Sequence, residues 1–294
     1  HYLTKKQFVP VLQKNPYIDK LWVLDGNLTD LIREIKYSHI DYVIDLHNNL
    51  RTIKVKRKLG AISFTFNKIN VEKRMMVNFK KDRLPRVHIV DRYMETVKSF
   101  DVSNDMKGLD YYIDEEDQIS NEIINDLPER FVTMAIGAQH YTKKAPPVKL
   151  AEIIQGIKLP VVLLGGPTDV EASSKIRALA QRKDLTDLCG KISLNQSAIL
   201  VRDSALLITH DTGMMHIGAA LKKNIFSIWG NTIPEFGMYP YLPGEQSRIF
   251  EIQDLECRPC SKIGFNKCPK KHFDCMMKQD SAEIPEAANR FIEQ

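Results

Sequence analysis

The second half of the chain alternates short, wholly apolar segments with stretches in which apolar residues recur at helical spacing. Strands that are apolar on both faces are typical of a parallel sheet covered by helices on each side. The pattern predicts strands at 131–136, 160–164, 205–209 and 224–229. It predicts helices between them at 148–157, 169–181 and 214–221. We therefore expect an α/β fold with a parallel sheet.

The first half shows the same alternation less regularly. The predicted elements are a helix at 5–13, a short strand at Val23 and Leu24, a helix at 28–35, a strand at 42–46 and a helix at 88–100. The sequence opens at His1 without an initiator Met, and its first elements are typical of the interior of a domain. We expect that sequence precedes His1 and carries the first strand of the domain.

Length and turn-rich sequence indicate two domains. A chain of 294 residues is longer than one average domain of roughly 100 to 200 residues. Acidic, turn-rich sequence at 101–117 and a short helix ending at Leu127 separate the two halves. We place the first domain at 1–127 and the second at 128–280, followed by an amphipathic helix at 281–294.

Composition excludes several classes of function. Apolar residues make up 43% of the chain and charged residues 27%, and no window approaches the roughly 18 uncharged apolar residues of a membrane span. The net charge of +5 favours an anionic partner such as a nucleotide, a phosphorylated sugar or an acidic membrane surface. Composition thus predicts no membrane span. Our further expectations, a cytoplasmic location and no binding of nucleic acid, rest on the family resemblance given below and not on composition.

The segment "LLITHDTGMMHIGAAL", residues 206–221, passes from strand to helix within a few residues. In a parallel sheet, ligands bind beyond the carboxyl ends of the strands, where helix N-termini present free N–H groups to anions. Gly213 permits close approach of a ligand, Thr212 can cap the helix or donate to a phosphate, and Asp211 suits sugar hydroxyls. His216 lies on the first helical turn. The alternative is that these residues only cap the helix and pack on the sheet.

Two further strand ends carry glycine turns. The segment "GAQHYTKKAP" offers Gly137 for close approach, and Lys143 and Lys144 as donors to phosphate. The segment "GGPTDVE" opens a helix with acidic residues in its first turn. Three such turns at one sheet edge favour a nucleotide-like ligand. Neither G-x-G-x-x-G nor G-x-x-x-x-G-K-[ST] is present, which disfavours a dinucleotide dehydrogenase and a P-loop NTPase.

The order of these motifs resembles glycosyltransferase family 9, the lipopolysaccharide heptosyltransferases. The matching segments are "DYVIDLHNNLRT", "HIVDRY", "IGAQHYTKKAP", "VVLLGG", "CGKISLNQSAILVRDSALLITHDTGMMHIGAAL" and "SIWGNTIPEFGMYPY". The resemblance implies a GT-B fold, in which two Rossmann-like domains with parallel sheets face a central cleft and the last helix crosses back to the first domain. It also implies inverting transfer of heptose from ADP-heptose to the inner core of lipopolysaccharide, with no cofactor and no metal.

The same resemblance implies roles for single residues of the donor site. Asp211 would hold hydroxyls of the donor sugar, and Lys143, with Lys144 beside it, would bind the donor phosphates. The remaining donor contacts would be Thr212, Gly213 and Met214 at the diphosphate, His216 beside them, Glu171 or its neighbour Asp169 at the ribose, and Ile192 at the adenine. The family's Lys-Arg-Trp-Pro reads Lys-Lys-Ala-Pro here, so the aromatic residue is absent.

The resemblance places the acceptor on the first domain. The family's general base is an Asp in a Gly-Asp turn after the first strand, which we expect upstream of His1, so no catalytic residue is assigned. His47, Asn48 and Arg51 follow a predicted strand and would contact an acidic acceptor. The alternative is a polar turn with Arg51 on a solvated helix.

Two other features of the first half have candidate roles. His88 and Arg92, four residues apart on one predicted helix, would contact the acceptor or serve in packing and salt bridges. The basic stretch at 51–86 would suit contact with anionic lipid headgroups. With this stretch, the cytoplasmic protein we expect could also lie peripherally on the inner face of the membrane.

Four of the five cysteines lie close together near the C-terminus. Cys257, Cys260, Cys268 and Cys275 could form a tetrahedral zinc site. Their spacing departs from that of two C-x-x-C knuckles, and reduced structural thiols are the favoured alternative. Both interpretations stay open at this point.

Two other functions are compatible with the residues. A GT-B nucleotide-sugar epimerase normally needs several carboxylates around the sugar, whereas the motifs offer chiefly Asp211. A non-catalytic nucleotide-sugar binding protein would be favoured if the natural chain began at His1. The sequence makes no prediction of the oligomeric state.

Overall fold

A computed structural model describes residues 1–114 and 116–293 and has a mixed α/β architecture. Glu115, in the expected linker, and Gln294, at the end of the expected last helix, lie outside the described residues. The strands are β1 (Tyr2–Lys5), β2 (Leu21–Leu24), β3 (Tyr42–Asp45), β4 (Ile62–Thr65), β5 (Val132–Ala135), β6 (Val161–Leu164), β7 (Leu185–Asp187), β8 (Leu206–His210), β9 (Ile225–Trp229) and β10 (Arg248–Glu251). The helices are α1 (Val9–Leu12), α2 (Leu28–Lys36), α3 (Leu50–Leu59), α4 (Asn70–Phe79), α5 (Ile89–Met94), α6 (Asn121–Asn125), α7 (Pro147–Gly156), α8 (Val170–Ala180), α9 (Leu194–Asp203), α10 (Gly213–Ala220), α11 (Asp274–Met277) and α12 (Glu283–Ile292).

The second half is built on a six-stranded parallel sheet, in the order β10-β9-β8-β5-β6-β7 within the described ranges. Side chains alternate between its faces, so Val132 and Met134 enter one apolar core while Phe131 and Ala135 enter the other. Helices α7, α8 and α12 cover the first face, and α9 and α10 cover the second. The predicted α/β fold and parallel sheet are confirmed.

The strand order brings three loops of the second half together. Strand β8 pairs with β5 on one side and with β9 on the other. Because all three strands run in the same direction, the loops that follow them start side by side at one edge of the sheet. We call this the central edge: residues 137–146 after β5, residues 211 and 212 after β8, and residues 230–232 after β9.

The first half contains two separate two-stranded parallel sheets, β1-β2 and β3-β4, in the part of the chain that the structure describes. Strand β1 was not predicted. The helix expected at 5–13 is instead a 3-10 helix at Lys6–Phe8 followed by α1. The helix expected at 88–100 divides into α5 and a 3-10 helix at Glu95–Phe100. The basic stretch at 51–86 forms most of α3, all of β4 and all of α4.

Helix α12 packs on the second half of the molecule. Its residues Ile284, Ala287 and Ala288 belong to the core that contains α7, and Asn289 donates to the carbonyl of Gly156 at 2.8 Å. We expected this helix to cross back to the first domain, and the contacts described here join it to the second. Among the described residues, no helix combines the length and apolar character needed to cross a bilayer.

The contact between α7 and α12 makes a stability prediction. A Cβ added at Gly156 would lie 2.7 Å from Cγ and 2.8 Å from Cβ of Pro285. Replacing glycine by alanine in a helix usually stabilises a protein by about 0.5–1 kcal/mol. Here we expect Gly156→Ala to lower the free energy of unfolding by about 1–3 kcal/mol, because the proline ring cannot move aside.

Urea denaturation of the variant and the wild type measures this difference. Gly213→Ala is the matched control, because a Cβ at that helical glycine would meet nothing within 4 Å. The control should unfold at the wild-type urea concentration or above it. A Gly156→Ala protein as stable as the wild type would contradict the proposed packing of α12.

Candidate functional site

An ion pair joins two loops at the central edge. Lys143 Nζ lies 2.5 Å from Asp211 Oδ2, and the same oxygen accepts a hydrogen bond from Thr232 Oγ1 at 2.8 Å. Asp211 is only 6% exposed. Removing one member of a buried ion pair usually costs about 3–5 kcal/mol, because the other charge is left uncompensated. Lys143 and Asp211, which we predicted at the donor phosphates and the donor sugar, are thus in direct contact.

A second ion pair lies beside the first. Lys144 Nζ lies 3.1 Å from Asp169 Oδ1, and Asp169 Oδ2 accepts from the backbone N–H of Gly166 at 3.0 Å. A Cβ at Gly137 would lie 2.4 Å from Asp169 Oδ2. We expected Gly137 to admit a ligand, and the structure shows that it admits this buried carboxylate.

The structure distinguishes between the two acidic residues proposed for the ribose. The Glu171 side chain is 83% exposed and pairs with Lys175 on its own helix at 2.6 Å. Asp169 is buried and joins the central edge through Lys144. Of the two, Asp169 is the one that lies among the other predicted donor residues.

The first turn of α10 is open at its N-terminus. Thr212 occupies the cap position, but its side chain makes no capping hydrogen bond and its hydroxyl lies 3.4 Å from Thr209 Oγ1. Gly213 is exposed, and a Cβ there would meet nothing within 4 Å. Protein packing therefore does not demand glycine here, and the backbone at Gly213 is open to close approach. Free N–H groups at such a terminus attract anions.

Two predicted residues contribute to the apolar surroundings of the site. Met214 and Ile192 are half-buried and both pack against the core on the second face of the sheet. His216, one turn into α10, is also half-buried. Burial lowers the pKa of His216, Lys143 lowers it further and Asp211 opposes that shift. Both charges of the Lys143–Asp211 ion pair thus affect the pKa of His216.

With this geometry in view, the chain was compared with known protein families. The model of glycosyltransferase family 9 (heptosyltransferase) matches residues 28–270. The chain belongs to glycosyltransferase family 9. This confirms the resemblance inferred from the motifs.

Individual members of family 9 are moderately similar to this chain. Lipooligosaccharide heptosyltransferase 2 of Haemophilus influenzae is 26% identical over 180 residues, which cover 56% of this chain and 48% of that protein. Lipopolysaccharide heptosyltransferase 1 of Campylobacter coli is 23% identical over 264 residues, which cover 79% of this chain and 75% of that protein. The chain thus aligns with about half of the first relative and three quarters of the second.

Solved structures of the family share the fold. The Escherichia coli ADP-heptose lps heptosyltransferase II superimposes with a TM-score of 0.71 at 18% identity, over 99% of this chain and 88% of that one. A family 9 glycosyltransferase from Veillonella parvula gives a TM-score of 0.76 at 24% identity, over 100% and 88%. The fold class predicted from the sequence, α/β of the GT-B type, is confirmed.

In this family 9 chain, two of the predicted acceptor residues, His47 and Asn48, form a tight turn after β3, and the third, Arg51, lies in the first turn of α3. The carboxylate of Asp45 accepts from the backbone N–H groups of His47 at 3.0 Å and Asn48 at 2.7 Å, and its other oxygen pairs with Lys56 at 2.8 Å. Asn48 adopts the left-handed conformation with φ 45°, which suits a turn. Burial lowers the pKa of His47, and so do the nearby cations, among them Arg51. The imidazole of His47 thus lies in positive surroundings, and Arg51 lies exposed.

His88 and Arg92 serve packing between the two halves. His88 Nε2 donates to the carbonyl of Tyr239 at 2.9 Å, while its Nδ1 accepts from Val90 N–H and so caps α5. Arg92 is buried and donates to the carbonyls of Phe236 at 3.0 Å and Asn67 at 3.4 Å. These contacts support the packing interpretation over direct contact with an acceptor.

The cysteines are free thiols in this structure. Cys257 Sγ lies 3.9 Å from His272 Nε2, and burial and neighbouring thiols raise the pKa of Cys275 to about 12. Within residues 1–114 and 116–293, no group of three or more His, Cys, Asp or Glu side chains is placed to hold a metal ion. The zinc interpretation of the four cysteines stays a hypothesis.

Sequence analysis missed His210, the last residue of β8. Its Nε2 accepts from the backbone N–H of Ala145 at 3.0 Å, which ties the lysine-bearing loop to the end of β8. Complete burial lowers the pKa of His210 to about 4, with a smaller effect of Lys144 in the same direction. The signal in the sequence was its position directly before Asp211 at the end of an apolar strand.

His210 predicts a pH dependence of stability. Because its folded pKa of about 4 lies below the ordinary value of about 6.5, the unfolded chain binds a proton that the folded chain excludes. The resulting stabilisation is present above about pH 6.5 and is lost as the pH falls towards 4. We expect His210 to remove about 2 kcal/mol from the free energy of unfolding between pH 7 and pH 5.

Urea denaturation at these two pH values, with wild type and His210→Gln, isolates this contribution. The variant should lose about 2 kcal/mol less than the wild type on acidification. His39→Asn, at an exposed position, should keep the wild-type pH dependence. Equal acid destabilisation of wild type and His210→Gln would show that His210 is not the group that titrates.

Proposed function

We propose that this protein transfers heptose from ADP-heptose to an acceptor of the lipopolysaccharide inner core, with inversion and without a divalent metal. The observation that carries the proposal is the open first turn of α10, with its vacant space at Gly213, directly beside the Lys143–Asp211 ion pair. A sugar diphosphate fits this arrangement. The helix end and the ammonium group of Lys143 attract its phosphates, and the carboxylate of Asp211 accepts hydrogen bonds from its sugar hydroxyls. Family 9 membership supports the same substrate class.

The donor diphosphate would bind between α10 and the loop after β5. The N–H groups of the first turn of α10 are not capped by Thr212, and Lys143 supplies an ammonium group. When the bond from the anomeric carbon to the phosphate oxygen breaks, negative charge grows on that oxygen. Preorganised donors of this kind each contribute about 3–4 kcal/mol to catalysis, so the leaving group can be stabilised without a metal.

The ion pair would exchange partners when the donor binds. A diphosphate carries more negative charge than a carboxylate and can draw Lys143 away from Asp211. Asp211 would then be free to accept hydrogen bonds from hydroxyls of the sugar. The acceptor oxygen attacks the anomeric carbon from the opposite face, and its proton passes to a general base, which we assign to no residue of this chain.

The two halves of the chain would bind different substrates. We propose that residues 128–280 bind the donor and residues 1–127 the acceptor, with the turn at His47, Asn48 and Arg51 facing an acidic group. The basic stretch at 51–86 would bring a cytoplasmic enzyme to the anionic surface of the inner membrane.

The two buried carboxylates at the central edge favour transfer over epimerisation. Asp169 and Asp211 are each paired with a lysine, so both are held as hydrogen-bond acceptors. An epimerase needs carboxylic groups that exchange protons with the sugar or its intermediates. The proposed exchange of partners releases Asp211 but leaves Asp169 paired with Lys144, so at most one of the two carboxylates is available for that role.

Acceptor dependence tests the proposed reaction. With ADP-heptose and lipopolysaccharide truncated before the inner-core heptose, we expect release of ADP together with heptosylated acceptor. Without acceptor, ADP release should fall by at least about 100-fold, because water is a poorly positioned nucleophile. Mass spectrometry of the acceptor and a coupled assay for ADP report the two products. Conversion of the sugar in the absence of acceptor would instead identify an epimerase.

A second test addresses Asp211. Asp211→Asn keeps the shape of the side chain but removes its charge, and we expect kcat/KM for transfer to fall about 100-fold or more because hydroxyl contacts weaken in the transition state. Binding of ADP alone, measured by calorimetry, should stay within a few-fold of wild type or become tighter, because Lys143 is released from its carboxylate. We choose Asn rather than Ala because Ala would also leave Lys143 without a partner beside a cavity.

Asp203→Asn is the matched control for that variant. Asp203 is an exposed carboxylate that pairs with Arg202 at 2.7 Å, on the end of α9. It should leave transfer and ADP binding unchanged. If Asp211→Asn folds normally and retains wild-type turnover, the donor sugar is not held by Asp211.

A further inference from the structure

Buried polar atoms without a partner occur at the central edge and directly beside it. Among the described residues, four buried side-chain atoms have neither a hydrogen-bond partner nor an ion-pair partner; two of them belong to Asn231 at the central edge, and a third belongs to His210 at the end of β8. For Asn231, both the amide oxygen and the amide nitrogen are unpaired, and the residue is 1% exposed. An amide left in this state costs free energy on folding, so its position calls for an explanation outside the folded chain.

The backbone around Asn231 is held firmly in place. Arg258 donates from Nε to the carbonyl of Gly230 at 2.6 Å and from Nη2 to the carbonyl of Thr232 at 2.8 Å. A Cβ at Gly230 would lie 2.7 Å from the carbonyl oxygen of Thr142, the residue before Lys143. Asn231 therefore lies on a fixed loop between the lysine-bearing loop and Asp211. Its backbone cannot readily shift to bring the amide to another hydrogen-bond partner.

The side chain next to Asn231 already serves the site. Thr232 donates its hydroxyl to Asp211 Oδ2 at 2.8 Å. Asp211 accepts from both Lys143 and Thr232, and an ionised carboxylate can only accept. A sugar hydroxyl that approaches this corner can donate to Asp211, but its oxygen also needs a donor. Asn231, the residue before Thr232 on the same loop, carries such a donor in its amide group.

The chemistry of an amide selects the group that it would recognise. An amide donates through its nitrogen and accepts through its oxygen. Phosphate oxygens only accept and would leave the amide oxygen unpaired. A hydroxyl both donates and accepts, and neighbouring hydroxyls of a sugar can satisfy both atoms of one amide.

We infer that Asn231 is a specificity-determining residue that binds hydroxyls of the sugar carried by the nucleotide donor. The inference rests on the proposed function, because it places a nucleotide sugar at the central edge. A donor that draws Lys143 from Asp211 opens the corner to the amide. Asp211 and Asn231 then bind the sugar together, the first as an acceptor and the second as both donor and acceptor.

Comparing two ligands with one variant tests this role. Asn231→Leu keeps the size of the side chain and removes both polar atoms, and Asn231→Ala removes most of the side chain. For either variant, calorimetry should show affinity for ADP-heptose lowered about 10-fold to 100-fold, as expected for two lost hydrogen bonds. Affinity for ADP, which lacks the sugar, should change less than about three-fold.

Thermal unfolding without ligand separates binding from folding. Because the amide has no partner within the described chain, Asn231→Leu should melt at the wild-type temperature or above it. Asn195→Leu is the matched control, since Asn195 is also buried but its amide donates to Asp117 and accepts from Tyr111. The control should melt at a lower temperature than the wild type and keep the wild-type ratio of the affinities for ADP and ADP-heptose.

The possible results are distinct. Equal losses for ADP and ADP-heptose would overturn the inference and assign Asn231 to the nucleotide. Unchanged affinities for both ligands would also overturn it and would assign the amide to an internal water. A wild-type protein that binds ADP but not ADP-heptose would overturn the proposed function itself, and the role of Asn231 with it.

Discussion

The ion pair between Lys143 and Asp211 links the loops that follow the two innermost strands of the sheet. Lysine and aspartate lie 68 positions apart in the sequence, and only the parallel pairing of β5 with β8 brings them within 2.5 Å. The pair neutralises a carboxylate that is almost completely buried. Without its lysine, the buried carboxylate of Asp211 would lose its counter-charge, which usually costs about 3–5 kcal/mol.

Other contacts at the same edge hold this pair in register. His210 accepts from the backbone of Ala145 and fixes the lysine-bearing loop, while Thr232 approaches Asp211 from the loop after β9. Arg258 holds that third loop through two backbone carbonyls. The site therefore depends on three strand ends and one distant arginine, and a change in any of these loops alters the position of the others.

The sequence predicted the second half of the fold much better than the first. Strands β5, β6, β8 and β9 are buried on both faces, so their apolar character is continuous and visible in the sequence. Strand β10 lies at the edge of the sheet, where exposed residues interrupt the pattern. In the first half, β4 is mostly exposed and α3 and α4 are rich in charge, so tertiary contacts rather than periodicity decide their structure.

The candidate site shows a similar division. Strand ends, glycines and polar residues could be located along the chain, but their partners could not, because pairs such as Lys144 with Asp169 are set by packing in space. Gly137 and Gly213 illustrate the limit. Both glycines follow a strand of the same sheet, yet one makes room for the Asp169 carboxylate and the other faces open space. Sequence alone cannot distinguish a glycine required by the protein from one that leaves room for a ligand.

The same distinction applies to polar groups. Asp211 and Asn231 lie in neighbouring loops at the end of one sheet, and both are buried. The carboxylate contacts Lys143 and Thr232 through Oδ2, whereas the amide has no partner in the described chain. An unpaired charge in a protein interior is strongly destabilising, since desolvation of a charge costs far more than desolvation of a neutral amide. It follows that the protein neutralises the Asp211 carboxylate internally, whereas it can leave the neutral amide of Asn231 without a partner.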